Sequence, residues 1–161
     1  MIRGIKLTLL TLAFFILEYG FCKHITIGGA VPMLTFCYVI IDAMYDYNKE
    51  SSVILAILLG ALCDLAGGHG FGTYTLIYGI TAYVTQLFCD SILSSKFLFM
   101  LINTFLMTIF AECVYFLFHI IEIGADAFWQ NFAGIMVPAA IYNVVVAVII
   151  YKPLKYVFER R

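Results

Sequence analysis

Residues 58–83 read LLGALCDLAGGHGFGTYTLIYGITAY, and the fold follows from how this stretch is read. Its one acidic residue, Asp64, stands just before a glycine-dense turn, Gly67-Gly68-His69-Gly70-Phe71-Gly72, with long apolar runs on both sides. Glycine turns a chain sharply at little steric cost, so the stretch is expected to be a hairpin of two apolar helices. A carboxylate and an imidazole beside that turn are out of keeping with their surroundings. Any role carried by single residues is expected here first.

The rest of the chain has the same character. It holds 161 residues, 64% of them hydrophobic and 12% charged, with a mean hydropathy of +1.03. A soluble domain carries about 25% charged residues, roughly twice this density, so the solvent that suits the chain is a bilayer. One helical span takes about 20 apolar residues, which gives about six spans and no room for a soluble catalytic domain. A net charge of −1 supplies no basic surface to neutralise phosphates, which excludes nucleic acid as a partner.

The expected architecture is therefore an all-α integral membrane domain over residues 1–161, with spans at about 4–21, 25–41, 53–66, 74–88, 97–121 and 128–151. Pro32 falls inside the second of these. Orientation follows from the basic residues. With a cytoplasmic N-terminus, Arg3, Lys6, Lys49, Lys96, Lys152, Lys155, Arg160 and Arg161 lie inside and Lys23 alone outside, eight against one. That is the bias of the positive-inside rule, and an odd span count would spoil it, so both termini are expected in the cytoplasm. Tyr19 and Trp129 then mark the outer interface, and Tyr45, Tyr47, Tyr151 and Tyr156 the inner one. The first apolar run lacks a small-x-small cleavage site after Glu18-Tyr19-Gly20-Phe21-Cys22 and is read as a retained span.

On this topology Glu18, Asp64, His69, Glu112 and His119 all fall towards the outer face. Ionisable groups within a membrane usually face a bundle interior or cavity. They are expected to converge on an outward-facing polar pocket; the alternative is that each snorkels separately to the interface. Glu112 and His119, seven apart with Tyr115 between them, share one helical face. Asn103 and Asn143 are read as interhelical hydrogen-bond partners. Ala56 and Gly60, continued by Cys63, Asp64 and Gly67, form a small-residue stripe that lets another helix approach, either within the chain or from another subunit.

Catalytic signatures are missing. There is no HExxH, GxSxG or P-loop, and the glycine run has neither a preceding strand nor a following lysine to cradle phosphate. Cys22, Cys37, Cys63, Cys89 and Cys113 form no CxxC and pair with no histidine at zinc-like spacing, so they are read as small buried residues. No enzyme, cofactor or metal site is expected.

The run Leu59-Gly60-Ala61-Leu62-Cys63-Asp64-Leu65-Ala66-Gly67-Gly68-His69-Gly70-Phe71-Gly72, followed by Thr75-Leu76 and Ala82-Tyr83, resembles the GLLxDxxSGxxxGxxAL region of the bacterial rod shape-determining MreD family. Pro32, Pro138, Asn143 and the Lys152-Pro153-Leu154 exit fit the same pattern. Gly67 stands where the family has serine, and His69 is not one of its hallmarks. The resemblance implies a non-enzymatic inner-membrane scaffold of the elongation (Rod) complex. Its partners would be MreC within the membrane and, directly or indirectly, MreB filaments, the RodA glycosyltransferase and a penicillin-binding transpeptidase, in lateral peptidoglycan synthesis. Gly60, Asp64, Gly67, Gly68 and Gly72 are the motif positions, with Asp64 expected to bond the amides of the glycine turn. The architecture is also similar to the substrate-binding membrane subunits of energy-coupling vitamin transporters, which leaves a small-molecule-binding subunit as the alternative. Ala13 is the only alanine of the first span, short of the alanine stripe those subunits use to dock a partner.

Overall fold

The computed structural model describes residues 2–20, 31–45, 49–67, 72–89, 95–124 and 128–159. Helices are the only regular structure among them: α1 (Ile2–Gly20), α2 (Leu34–Tyr45), α3 (Lys49–Gly67), α4 (Thr73–Cys89), α5 (Lys96–Phe118), the single turns α6 (Ile120–Ile123) and α7 (Phe128–Asn131), and α8 (Val137–Glu159). A widened π turn, Phe132–Met136, joins α7 to α8, its ring closed by the Val137 N–H donating to the Phe132 carbonyl. Pro138 follows at once. In an ordinary α-turn its ring would press on the carbonyl four residues back, and the wider turn relieves that contact.

Three apolar stretches are long enough to cross a membrane, Glu50–Gly67, Lys96–Phe118 and Phe128–Phe158, while Leu9–Gly20 and Leu34–Tyr45 are shorter. The surface agrees with a bilayer. Large apolar side chains are exposed along the helices, Leu65 at 69%, Ile149 at 68% and Leu58 at 59% among them, as lipid-facing residues are. The molecule is a helical membrane protein.

α2 is the centre of the bundle. It packs on α1, α3, α4, α5 and α8, and every residue from Thr35 to Met44 is buried. Its sequence, LTFCYVIIDAMY, explains this: a helix that is apolar nearly all round has no face to give to a polar surface. Pro32 lies ahead of this helix rather than within it, in the segment Val31-Pro32-Met33. The first helical bond runs from the Cys37 N–H to the Met33 carbonyl at 3.1 Å. Two of the amides at this start are taken by side chains of other helices. The Met33 N–H donates to Asn143 Oδ1 on α8 at 3.0 Å, and the Thr35 N–H to Glu18 on α1.

α3 with α4, and α5 with α8, are the most extensively packed pairs. Polar ties cross between helices at buried positions. Asn103 Nδ2 donates to Thr85 Oγ1 at 2.9 Å, joining α5 to α4, and Asn143 Nδ2 to Thr108 Oγ1 at 3.4 Å, joining α8 to α5. No disulfide joins the described cysteines, and Cys37, Cys63 and Cys89 are buried.

The two ends of the bundle differ. One, opposite the Asp64 end, is closed by aromatic rings. The Tyr45 and Tyr151 hydroxyls are 2.7 Å apart, the Tyr45 ring stacks on Phe158 with centroids 5.8 Å apart, and Lys96 Nζ lies 4.8 Å from the Tyr45 ring centroid. The other end carries Asp64, Glu18 and Glu112, while the buried Asp42 lies towards the aromatic end, three residues before Tyr45.

Candidate functional site

α3 and α4 meet at a backbone-to-backbone contact. A Cβ at Gly60 would lie 2.5 Å from the Tyr74 carbonyl oxygen and 2.6 Å from Thr75 Cα, inside van der Waals contact with main chain that cannot swing away. One turn further along the same face is Asp64, only 4% exposed. Its Oδ2 accepts from the Gly72 N–H at 2.9 Å, the Thr75 N–H at 3.1 Å and the Thr75 hydroxyl at 2.6 Å. Its Oδ1 accepts from the Tyr74 N–H at 2.8 Å.

The first amides of a helix have no partner within it, and the residue just before α4 is Gly72, which has no side chain to cap them. Gly72 has φ +107°, a backbone state that favours glycine. Asp64 therefore caps α4 from the neighbouring helix, with its charge at the positive end of the α4 dipole. The small-residue stripe and the acidic residue thus form one device. Gly60 brings the backbones together, and Asp64 fastens them. The stripe's partner is α4 of the same chain.

Glu18 repeats the arrangement one hairpin earlier. Near the C-terminal end of α1, its Oε2 accepts from the Thr35 N–H and the Thr35 hydroxyl, each at 2.6 Å, at the start of α2. Because the Thr35 hydroxyl spends its hydrogen on Glu18, the Tyr78 hydroxyl, 2.8 Å away, must be the donor to Thr35 Oγ1. Tyr19 closes the group by donating to the Cys63 carbonyl at 3.0 Å. Four helices, α1 to α4, are tied together within this network.

Two adjoining cavities, of about 150 and 240 Å³, open beside it and share Val31, Met33, Tyr74 and Tyr78 as walls. Glu18 lines the smaller and Glu112 the larger. Asp64 lines neither, since its oxygens face the α4 amides. Nor does His119, which ends α5: its N–H bonds the Tyr115 and Phe116 carbonyls, and its ring stacks on Tyr115 with centroids 4.2 Å apart. Gly67 borders the smaller cavity. Gly68 and His69 lie outside the described residues. Of these residues, then, Glu18 and Glu112 line two adjoining cavities, Glu18 and Asp64 hold helix starts, and His119 stacks on the cavity-lining Tyr115. Among the described residues, no group of three metal-ligating side chains comes together.

Sequence reasoning missed Thr35, Tyr74, Thr75 and Tyr78. The threonines open helices and the tyrosines point between them, but nothing local distinguishes them from the other threonines and tyrosines of apolar runs. The description "rod shape-determining protein MreD" belongs to a family model that matches residues 2–160. The chain belongs to the MreD family. Membership gives it a role in rod shape determination, carried out by a membrane protein, and the family is not one of known enzymes. Comparison with curated proteins and with solved structures yields no match. In this MreD-family chain Gly60, Asp64 and Gly72 build the clamp between α3 and α4.

Proposed function

We propose that this protein is a non-enzymatic scaffold of the elongation (Rod) complex in the bacterial inner membrane. It crosses the membrane six times with both termini in the cytoplasm, the Asp64 end facing outward. It binds MreC within the membrane and couples it, directly or indirectly, to MreB, RodA and a penicillin-binding transpeptidase, in support of lateral peptidoglycan synthesis and rod shape.

The observation that carries this reading is the family match over residues 2–160. The geometry supports it in a specific way. Two of the carboxylates at the Asp64 end are bound to amides and hydroxyls as helix caps, so they serve to hold a shape rather than to move protons. A bundle stiffened at one end offers a partner a fixed surface.

Co-purification tests the proposal. Tagged protein extracted in mild detergent is expected to retain MreC, and Asp64→Leu at matched protein level is expected to lose it. Retention of ATPase subunits in place of MreC would instead select the vitamin-transporter reading, for which the cavity beside Glu112 is the relevant feature.

A further inference from the structure

The three carboxylates near the Asp64 end are not used alike. Asp64 and Glu18 hold helix N-termini, whereas the Glu112 carboxylate makes no hydrogen bond or ion pair with any described residue and lines the cavity of about 240 Å³. At about 30 Å³ per water, that volume equals roughly eight waters. It suits a head group or a small amine better than a large cofactor. An ionisable side chain within a helical span is costly and marks a site when it faces a cavity.

The walls define the chemistry further. Tyr74, Tyr78 and Tyr115 all line the cavity. The Tyr74 ring meets Tyr78 nearly edge-on, centroids 6.1 Å apart at 78°, and Tyr115 at 6.3 Å and 37°. Rings set in three different planes thus border one space, with His119 stacked on Tyr115. Cations are drawn to ring faces, and aromatic cages with a nearby carboxylate suit organic ammonium groups. Among the described residues no lysine, arginine or histidine lines the cavity, so an anion would meet only like charge. Glu112 lies six residues before the end of α5 at Phe118, about 9 Å along the helix at 1.5 Å per residue. A ligand entering from that end would reach it.

We infer that the cavity lined by Glu112, Tyr74, Tyr78 and Tyr115 binds an organic ammonium group. Glu112 is the counter-ion, and the tyrosine rings replace the water of a cation that strips its hydration shell on entry. The group is borne either by a small free amine or by the head group of an amine-containing lipid. This inference rests on the cavity and stands apart from the scaffold reading.

The test uses the full chain in lipid nanodiscs. In discs of phosphatidylglycerol alone, choline and ethanolamine are titrated while thermal unfolding is followed. The neutral isostere of choline, 3,3-dimethylbutanol, serves as the control. In parallel, discs containing phosphatidylethanolamine are examined by native mass spectrometry for retained lipid. A saturable rise in Tm with the amines but not the isostere identifies a free amine as ligand. Selective retention of phosphatidylethanolamine without that rise identifies a lipid head group. Glu112→Gln is expected to weaken either signal at least tenfold while leaving the unliganded Tm nearly unchanged. Tyr115→Leu, which removes a ring and keeps the carboxylate, is expected to weaken it as well. The inference is overturned if neither amine nor lipid is held, if the isostere matches choline, or if folded Glu112→Gln or Tyr115→Leu binds as the natural protein does.

Discussion

Gly60→Ala is the smallest change that strikes the clamp between α3 and α4. The added Cβ would sit 2.5 Å from the Tyr74 carbonyl oxygen, 2.6 Å from Thr75 Cα and 2.7 Å from Thr75 N. Carbon atoms settle at about 3.5–4.0 Å, so the α4 backbone must retreat by about 1 Å. The same retreat stretches the Asp64 bonds to Gly72, Tyr74 and Thr75, now 2.8–3.1 Å long, beyond useful length. Overpacking costs about 1–3 kcal/mol, and loosening a buried charged cap adds about 1–3 kcal/mol. A total of about 4 kcal/mol lowers Tm by roughly 8–16 °C for a chain of this size.

The assay is thermal unfolding of the purified protein in nanodiscs, with Gly79→Ala as control. A Cβ at Gly79 meets only the flexible Ile57 side chain, Cγ1 at 3.1 Å, so its Tm is expected to move by a few degrees at most. Because Gly60→Ala and Asp64→Leu disable one contact, their combination is expected to cost clearly less than the sum of the two. A Gly60→Ala protein within about 2 °C of the natural one, or strict additivity with Asp64→Leu, would refute the coupled clamp.

Asp64→Leu leaves the Gly72, Tyr74 and Thr75 amides without their acceptor, at a cost on the order of 4 kcal/mol, and is expected to abolish rod-shape maintenance in a complementation assay; Asp64→Asn keeps one acceptor oxygen and is expected to lose about 1–2 kcal/mol with mild shape defects. Glu18→Ala removes the acceptor of both Thr35 bonds and is expected to lose about 2–3 kcal/mol in denaturation. Asn143→Leu strands the Met33 N–H, and hydrogen exchange is expected to quicken at the start of α2, with about 1–3 kcal/mol lost in global stability.

The class of fold could be read from composition, because hydropathy reports the solvent directly. Asp64 was legible as a partner of the glycine turn, since an aspartate a few residues from such a turn has few other groups in reach. The bond from Thr35 to Glu18 was not, because the two lie 17 residues apart, past residues that no periodicity places. Gly60 signalled a close approach without naming the approaching helix; small-residue spacing describes one surface and is silent on the other. Pro32 reads as part of an apolar run, yet the start of α2 is set by the distant Asn143 and Glu18 side chains that take the Met33 and Thr35 amides. The π turn ahead of Pro138 depends on backbone geometry that hydropathy does not record.

Crosslinking in native membranes, followed by purification and mass spectrometry of both proteins and retained small molecules, tests the scaffold account most directly. The account predicts MreC crosslinked to this chain within the membrane, with RodA and its transpeptidase recovered alongside. Recovery of ATPase subunits or a stoichiometric vitamin, with MreC absent, would contradict it and make the protein a transporter subunit.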